Sequence, residues 1–228
     1  MLVSVVIPTL NESARIEACL DQFGQQPGEW ELIVADGGSG DGTVEKARAL
    51  GIRVVSVPPG RGTQMNAGAG VAMGGILLFL HTDARLPPDA HGLICVALDS
   101  AETILGCFRV RHEPEQWRGT WKAPWLRIAD LRSHWTRSPY GDQGLFLRRK
   151  DFQQAGGFPG LPLMEELDLA LLLSRKGRIV TLPGEMRVSA RRFESGFWRA
   201  FLCMMTFPLL YRMGVSPGRL TKLYGHPR

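Results

Sequence analysis

The sequence has few cysteines, and none of them is paired as in common metal or redox sites. Only four occur among 228 residues. None forms a CxxC pair and three lie inside apolar stretches, which favours buried free thiols over disulfides or a zinc site. Such cysteines are typical of a reducing compartment, so we expect a cytoplasmic protein.

The sequence also lacks a long uncharged apolar run. The most apolar segment, residues 196–214, is interrupted by Arg199, Pro208 and Arg212, whereas a membrane-spanning helix needs about 20 predominantly apolar residues. The chain starts without a basic stretch or an apolar leader core, which predicts no signal peptide. With 44% hydrophobic residues and no internal repeat, we expect one globular domain.

Acidic residues are scarce in the last quarter of the chain. Residues 175–228 contain 11 Lys and Arg against 2 Asp and Glu, which leaves 16 against 20 before them, from totals of 27 and 22. A basic segment of this kind suits an anionic lipid surface, a nucleic acid or a phosphorylated substrate. A solvated basic face without any partner is an equal alternative.

Short apolar runs alternate with helical patterns along the first part of the chain. Each run is rich in leucine or β-branched residues and is bounded by Pro, Gly or Asp, which predicts buried strands. The four runs are residues 3–7, 32–35, 53–57 and 76–80. The helical pattern after the first run has Asn11 as a candidate N-cap. This rhythm predicts right-handed βαβ units and an α/β fold with a parallel sheet.

A polar or glycine-rich loop follows each of these predicted strands. In parallel sheets, ligands bind beyond the carboxyl ends of the strands. The four loops are PTLNE, DGGSGDG, PPGRG and HTDA. Glycines in the second loop would let backbone N–H groups approach a ligand closely, but neither GxGxxG nor GxxxxGK[ST] occurs. The sequence therefore predicts a ligand site that differs from ordinary nicotinamide and P-loop sites.

Five motifs together resemble a known family. They occur in the order SVVIPTLNE, VADGGSGDGT, NAGAGVAMGGILLFLHTDA, GDQGLF and MEELDL. Their order and approximate spacing resemble the family 2 glycosyltransferases, which are inverting enzymes with the GT-A fold. The chain is most similar to the short soluble branch labelled radical-SAM/selenodomain-associated or arsenosugar-biosynthesis transferase.

The resemblance implies a single GT-A-like domain with a Rossmann-like, mostly parallel central sheet and helices on both faces. Residues 1–86 would form the nucleotide-binding half and residues 87–195 the acceptor and catalytic half. Residues 196–228 would form a basic, apolar helical segment.

The resemblance also assigns a pocket for the nucleotide sugar. The implied residues are Thr9, Asn11, Glu12, Asp36, Gly38, Arg61, Gln64 and Thr82. Asp36 would accept a hydrogen bond from the uracil N3–H group. The alternative role of Asp36 is that of a turn residue and the alternative role of Asn11 that of a helix cap, while Arg61, Gln64 and Asn66 are expected in the loop after the third strand.

Asp83 stands at the last position of the metal-binding Asp-x-Asp motif of the family. It would coordinate Mn²⁺ or Mg²⁺ bound to the diphosphate oxygens. His81 occupies the place of the usual first aspartate, and a neutral imidazole suits Mn²⁺ better than Mg²⁺. The alternatives are a turn role for Asp83 and a hydrogen bond from His81 to phosphate or ribose.

The catalytic carboxylates would come from the segment LMEELDL. By the resemblance, Glu166 is the general base and Glu165 binds or orients the acceptor. Acidic residues at a helix start also favour the helix dipole, which is the alternative for both. Asp168 is expected to be structural. The implied acceptor or phosphate contacts are Asp142, Gln143, Arg191 and Arg192.

These assignments imply a metal-dependent inverting transferase that moves one sugar from a nucleoside-diphosphate sugar, expected to be UDP-linked, to a discrete small-molecule or lipid acceptor. No QxxRW segment of processive synthases is present. The alternatives are a nucleotidyltransferase and a non-catalytic nucleotide-sugar-binding module.

We expect no nucleic-acid partner. The C-terminal segment is expected to make either a peripheral contact with the inner face of the membrane or a homodimer contact. Four tryptophans, Trp117, Trp121, Trp125 and Trp135, either stack on a ligand or fill a small lid.

Overall fold

The computed structural model describes residues 1–114, 123–135, 139–194 and 196–224. The strands are β1 Val3–Thr9, β2 Trp30–Asp36, β3 Arg53–Ser56, β4 Ile76–Phe79, β5 Ala84–Arg85, β6 Thr103–Glu113, β7 Leu145–Arg148 and β8 Arg178–Ser189. The helices are α1 Ile16–Asp21, α2 Thr43–Ala49, α3 Arg61–Val71, α4 Ala90–Asp99, α5 Ala123–Trp135, α6 Arg149–Gln154, α7 Glu165–Leu173, α8 Arg191–Glu194, α9 Phe197–Arg212 and α10 Pro217–Tyr224. Trp117 and Trp121 lie outside the described residues.

The strands in the described part of the chain form one mixed sheet, in the order β3-β2-β1-β4-β7-β6-β8-β5. Strands β1 to β4 pair in parallel, and β6 pairs with β8 in parallel. Strand β7 is antiparallel to both β4 and β6, and β5 is antiparallel to β8. The predicted α/β fold is therefore confirmed, and the four-stranded parallel part formed by β1 to β4 lies in the first half of the chain.

Helices cover both faces of the sheet, because alternate residues of a strand point to opposite sides. All seven residues of β1 are buried. Val5 packs in a cluster with Ile16 of α1 and with residues of α2 and α4. Val6 packs in the opposite cluster with Met65 of α3 and with residues of α7. Each large aliphatic side chain buried in these clusters contributes about 1.5–3 kcal/mol.

Four local expectations differ from the structure. Strand β3 is partly exposed, because it forms the edge of the sheet. Arg61, Gln64 and Asn66 lie in helix α3 and not in a loop. Asn11 does not cap α1, because the N-cap is Arg15 and Asn11 adopts a left-handed φ of 54°. The sequence GDQGLFLRRKDF favours a strand from its first residue, but GDQ forms a 3₁₀ turn and β7 begins only at Leu145.

Gly68 allows helix α3 to lie close to β1, and this contact can be tested within one helix. A Cβ atom added to Gly68 would lie 2.4 Å from Cγ1 of Val6, whereas one added to Gly70 meets nothing within 4 Å. We expect Gly68→Ala to lower the free energy of unfolding by about 1–3 kcal/mol through overpacking. Gly70→Ala should raise it by about 0.5–1 kcal/mol through helix propensity. Urea denaturation of both variants measures this, and equal stabilities would contradict the close packing.

Candidate active site

The loops after β1 and β2 hold one another in place at the carboxyl edge of the sheet. Asp36 accepts hydrogen bonds from the backbone N–H groups of Gly38, at 2.8 Å, and Ser39, at 3.0 Å. Asn11 accepts one from Gly40 N–H at 3.0 Å. The hydroxyl of Thr9 lies 3.3 Å from Asp36 Oδ1. Thr9, Asn11 and Asp36 therefore shape the glycine-rich loop that the sequence assigns to the donor.

Gln64 ties the ends of two strands together. Its Nε2 donates to the carbonyl oxygens of Thr9, at 2.7 Å, and Ala35, at 2.9 Å. Since Gln64 is buried, this arrangement supports a structural role. Thr82 is likewise buried, between His81 and Asp83. Donor contacts of Gln64 and Thr82 stay a prediction.

Arg61 binds both carboxylates at the start of α7. Its Nε donates to Glu165 Oε1 at 2.5 Å, and its Nη2 donates to Glu166 Oε2 at 2.9 Å. The side chains of Glu165 and Glu166 are only 2% and 4% exposed, so this cation is their main compensation for lost solvation. Met164, immediately before them, has a left-handed φ of 72°. A strained residue of this type is common at functional sites.

Glu166 has the environment expected of a general base. Burial raises the pKa of Glu166 to about 7. The charge of Arg61 opposes this shift and the charge of Glu165 adds to it. Its Oε1 is buried without a hydrogen-bond partner among the described residues. A Cβ added to Gly141 would lie 2.1 Å from this oxygen and 3.2 Å from His81 Nε2. The absence of a side chain at Gly141 therefore lets this part of the backbone lie directly against Glu166 and His81.

Asp83 and Glu12 share one arginine. Arg191 Nε donates to Asp83 Oδ2 at 2.8 Å, and its two Nη atoms donate to Glu12 at 2.7 and 3.0 Å. Burial alone would raise the pKa of Asp83, but its interactions with His81, Arg191 and Arg192 hold the pKa below its usual value, so the carboxylate is ionised. Arg191 thus links the loop after β1 with the loop after β4.

His81 and Asp83 are the two residues that would hold a divalent cation, as the sequence predicts. Burial, followed by the charges of Arg61 and Arg192, lowers the pKa of His81 to about 3. The imidazole is therefore neutral at pH 7, as a metal ligand must be. The described residues contain no group of three or more His, Cys, Asp or Glu side chains placed to hold a metal. An ion bound here would need further ligands from diphosphate oxygens or water.

The segment GDQ contributes one partly buried side chain, Asp142, and one fully buried side chain, Gln143. Gln143 is fully buried, donates to Phe108 O at 3.2 Å and accepts from Tyr140 N–H at 3.0 Å, which supports a structural role. Asp142 Oδ1 is buried without a partner among the described residues. Asp142 Oδ2 lies 3.8 Å from His112 Nε2. Asp142 is therefore the member of this pair that is available for an acceptor.

His112 and Asp130 were missed by the sequence reasoning. Nδ1 of His112 lies 2.6 Å from Asp130 Oδ1, and Asp130 also accepts from the backbone N–H of His112. This contact orients the imidazole toward Asp142. The one signal available was a histidine at the end of the strand-like segment TILGCFRVRH, residues 103–112, and nothing in the sequence connects it with an aspartate on α5.

The chain belongs to glycosyl transferase family 2. The sequence profile described as "Glycosyl transferase family 2" matches residues 4–158, about two thirds of the chain. This match includes the loops after β1, β2 and β4, and it confirms the family that the motifs predict. The particular branch, radical-SAM/selenodomain-associated, stays a prediction.

One relative and two solved structures show the extent of the likeness. The chain is 40% identical over 168 residues to the PGL/p-HBAD biosynthesis glycosyltransferase of Mycobacterium bovis, covering 68% of this chain and 62% of the relative. The chain therefore spans less than two thirds of that relative's length.

The mannosyltransferase PcManGT from Pyrobaculum calidifontis, in complex with GDP-Man and Mn²⁺, is 20% identical with a TM-score of 0.70. That superposition covers 97% of this chain and 67% of PcManGT. S. aureus TarS 1–349 in complex with UDP is 19% identical with a TM-score of 0.63, covering 98% of this chain and 70% of TarS. At these identities the likeness shows the fold, and it confirms the GT-A-like architecture.

Proposed function

We propose that this protein is a metal-dependent, inverting glycosyltransferase that moves one sugar from a nucleoside-diphosphate sugar, with UDP as the nucleotide, to a discrete small-molecule or lipid acceptor. The observation that carries the proposal is the buried pair Glu165 and Glu166, bound by Arg61 beside His81 and Asp83. A binding module would have no use for a buried carboxylate with a pKa near 7 and an unpaired oxygen. Family membership and the nucleotide complexes of the structural relatives support the same reading.

Glu166 would act as the general base. Its unpaired Oε1 accepts the proton of the acceptor hydroxyl, and the freed electron pair forms the new bond to the anomeric carbon of the sugar. The bond between that carbon and the diphosphate oxygen breaks, and the diphosphate leaves with the electron pair. Because attack and departure occur on opposite faces of the sugar, the configuration inverts. Arg61 and Glu165 hold Glu166 in position.

The leaving diphosphate needs a positive environment. Arg191 lies against Asp83, and the charge of Arg192 is near enough to affect the pKa values of His81, Asp83 and Glu166. Planar guanidinium groups suit bidentate contact with phosphate oxygens. A divalent metal held by Asp83 and His81 would neutralise charge on the diphosphate. Arg191 would then exchange part of its contact with Asp83 for the phosphate.

The two halves of the domain would divide the substrates between them. Residues 1–86 supply the loops that receive the nucleotide, and residues 87–195 supply Asp142 and the catalytic helix α7. The acceptor would bind beside Asp142, whose Oδ1 has no partner among the described residues and lies next to Gly141. Residues 196–228 would form a separate helical segment.

A panel of donors tests the proposed activity. The purified protein is incubated with Mn²⁺ and a series of UDP- and GDP-sugars, with water as the acceptor, and nucleotide release is followed by mass spectrometry. We expect UDP release from at least one UDP-sugar, and loss of this release with EDTA. If no donor is bound or hydrolysed and Asp83→Ala changes nothing, the proposed activity is wrong.

The metal site predicts a specific pattern of Mn²⁺ affinities. Calorimetric titration in the presence of UDP should show that Asp83→Asn weakens Mn²⁺ binding at least about tenfold. His81→Ala should cause a comparable loss if the imidazole is a ligand. Asp89→Asn serves as the control, because Asp89 is an exposed carboxylate that follows Asp83 closely in the sequence. A loss with Asp83→Asn alone would assign His81 to the diphosphate or the ribose.

A further inference from the structure

Helix α9 has two apolar faces, and one of them is exposed. The inner face packs into the protein through Phe197, Phe201 and Phe207, which are 5%, 9% and 5% exposed. The outer face, called here the α9 stripe, consists of Trp198, Leu202, Met205, Leu209 and Met213, with exposures of 46%, 55%, 39%, 61% and 72%. Their spacing of four, three, four and four residues places them in one row along the helix.

The charged residues of α9 and α10, as far as the structure describes these helices, are all basic. With 3.6 residues per turn, Arg199 and Arg212 fall at the two edges of the row. Both are exposed, as are Arg219 and Lys222 of α10. Residues 196–228 contain five basic residues, the fifth being Arg228, and no Asp or Glu. An apolar face bordered only by basic side chains is typical of helices that lie in the interface of an anionic bilayer.

An exposed tryptophan pair extends this surface. Trp125 of α5 lies against Trp198, with ring centroids 5.2 Å apart, and is 38% exposed. Tryptophan prefers the boundary between headgroups and acyl chains, because its ring is apolar and its N–H group can bind polar atoms. Leu223 of α10, 60% exposed, adds another apolar side chain next to the basic residues of that helix.

We propose that the α9 stripe and Trp125 dock on an anionic lipid bilayer, with α9 lying in the plane of the interface. Complementary charge decides between a bilayer and a second copy of this chain. Two copies meeting through this face would place basic residues against basic residues, whereas an anionic lipid surface attracts them. None of the helices in the described part of the chain is long and apolar enough to cross a bilayer, so α9 would lie on the membrane.

The inner face of α9 connects this surface with the catalytic helix. Tyr211 donates a hydrogen bond to Asp168 of α7 at 2.5 Å, and Phe207 packs in a cluster with Leu163 and Met164, just before the carboxylate pair. Asp168 is thus structural, as the sequence predicted. Docking would hold α7 near the lipid surface, and, on the proposed function, this suits an acceptor embedded in the membrane.

Sedimentation with lipid vesicles tests the docking surface without any donor or acceptor. The full chain is mixed with phosphatidylcholine vesicles that contain either about 30% phosphatidylglycerol or no phosphatidylglycerol. We expect binding to the anionic vesicles, at least about tenfold weaker binding to the neutral ones, and release by about 0.5 M salt, where the screening length is roughly half of that at about 0.1 M. Absence of binding to anionic vesicles would overturn the proposal.

Matched substitutions assign the binding to the α9 stripe. Leu202→Gln combined with Leu209→Gln should weaken vesicle binding at least about tenfold, because both side chains would otherwise enter the lipid. Met73→Gln combined with Val96→Gln is the control. These residues are 67% and 77% exposed, but Met73 lies in the segment after α3 and Val96 lies in α4. Equal binding by the two double variants would overturn the proposal.

Light scattering on the same proteins tests whether a second copy of this chain, and not a bilayer, covers the α9 stripe. We expect the same monomeric mass for the wild type and for the Leu202 and Leu209 double variant. A dimer that this variant converts to a monomer would assign the surface to self-association and overturn the proposal. Vesicle binding without UDP release in the donor panel would leave the docking surface intact and contradict only the proposed activity.

Discussion

Replacing Glu166 with glutamine should lower kcat for sugar transfer by about 10²–10⁴-fold and leave donor binding nearly unchanged. The amide has the shape of the protonated carboxyl group but accepts no proton at neutral pH. Oε1 of Glu166 is buried without a hydrogen-bond partner among the described residues and lies against Gly141, so it is the oxygen proposed to take the proton. Steady-state kinetics with the donor identified by the panel, together with UDP binding by calorimetry, measures the two effects separately.

Stability should distinguish loss of catalysis from loss of folding. Burial already raises the pKa of Glu166 to about 7, so the neutral glutamine should be accepted with little change in the free energy of unfolding. Glu185→Gln, at a surface position where the side chain is 50% exposed, is the control and should retain full activity. If Glu166→Gln keeps activity and Glu165→Gln loses it, the two glutamates have exchanged the proposed roles.

The pH dependence of the wild type follows from the same group. A base must be ionised, so kcat/KM should rise about tenfold per pH unit below pH 7 and level off above it. The effect on folding has the opposite sign. Because the folded pKa is raised from 4.5 to about 7, the contribution of Glu166 to stability is present below about pH 4.5 and is lost as the pH rises through 7.

The fold and the positions of the site motifs could be predicted because they depend on local patterns. The four apolar runs predicted four strands, and these strands form the parallel part of the sheet. The loops after them then had to meet at one edge, which is where the structure places Asp36 and Asp83. The mixed second half of the sheet was harder to predict from the sequence, because the pairing of β7 with β6 depends on contacts that no local hydrophobic pattern specifies.

The partners of the charged residues could not be predicted. Arg61 and Glu165 are 104 residues apart in the chain, and Arg191 and Glu12 are 179 apart. No spacing rule connects residues at such separations, because their contact depends on how α3, α7 and α8 pack on the sheet. Asn11 illustrates the same limit, since its side chain binds a neighbouring loop and not the helix that follows it.

The site is therefore held together by two arginines that each join separate parts of the chain. Arg61 joins α3 to α7, and Arg191 joins α8 to the loops after β1 and β4. Each arginine compensates two carboxylates. Both clusters would be highly charged if the cation were absent, so a large part of the site's structural stability should depend on these two side chains.

Replacing Arg61 with methionine should lower the free energy of unfolding by about 3–5 kcal/mol at pH 8, because it leaves buried carboxylates without their cation. Glu165 and Glu166 are 2% and 4% exposed, so water cannot replace the lost guanidinium without opening the start of α7. The loss should become smaller as the pH falls. Without Arg61 the pKa of Glu166 rises further, and protonation then removes the uncompensated charge.

Urea denaturation at pH 8 and at pH 5.5 measures the effect of Arg61→Met. The control is Arg178→Met, which removes an ion pair whose two side chains are both 73% exposed, and it should cost no more than about 0.5 kcal/mol at either pH. Adding Glu165→Gln and Glu166→Gln to Arg61→Met should restore most of the stability at pH 8, since no buried charge remains. A loss that is the same at both pH values and is not restored by the glutamines would mean that Arg61 stabilises α7 by packing and not by charge.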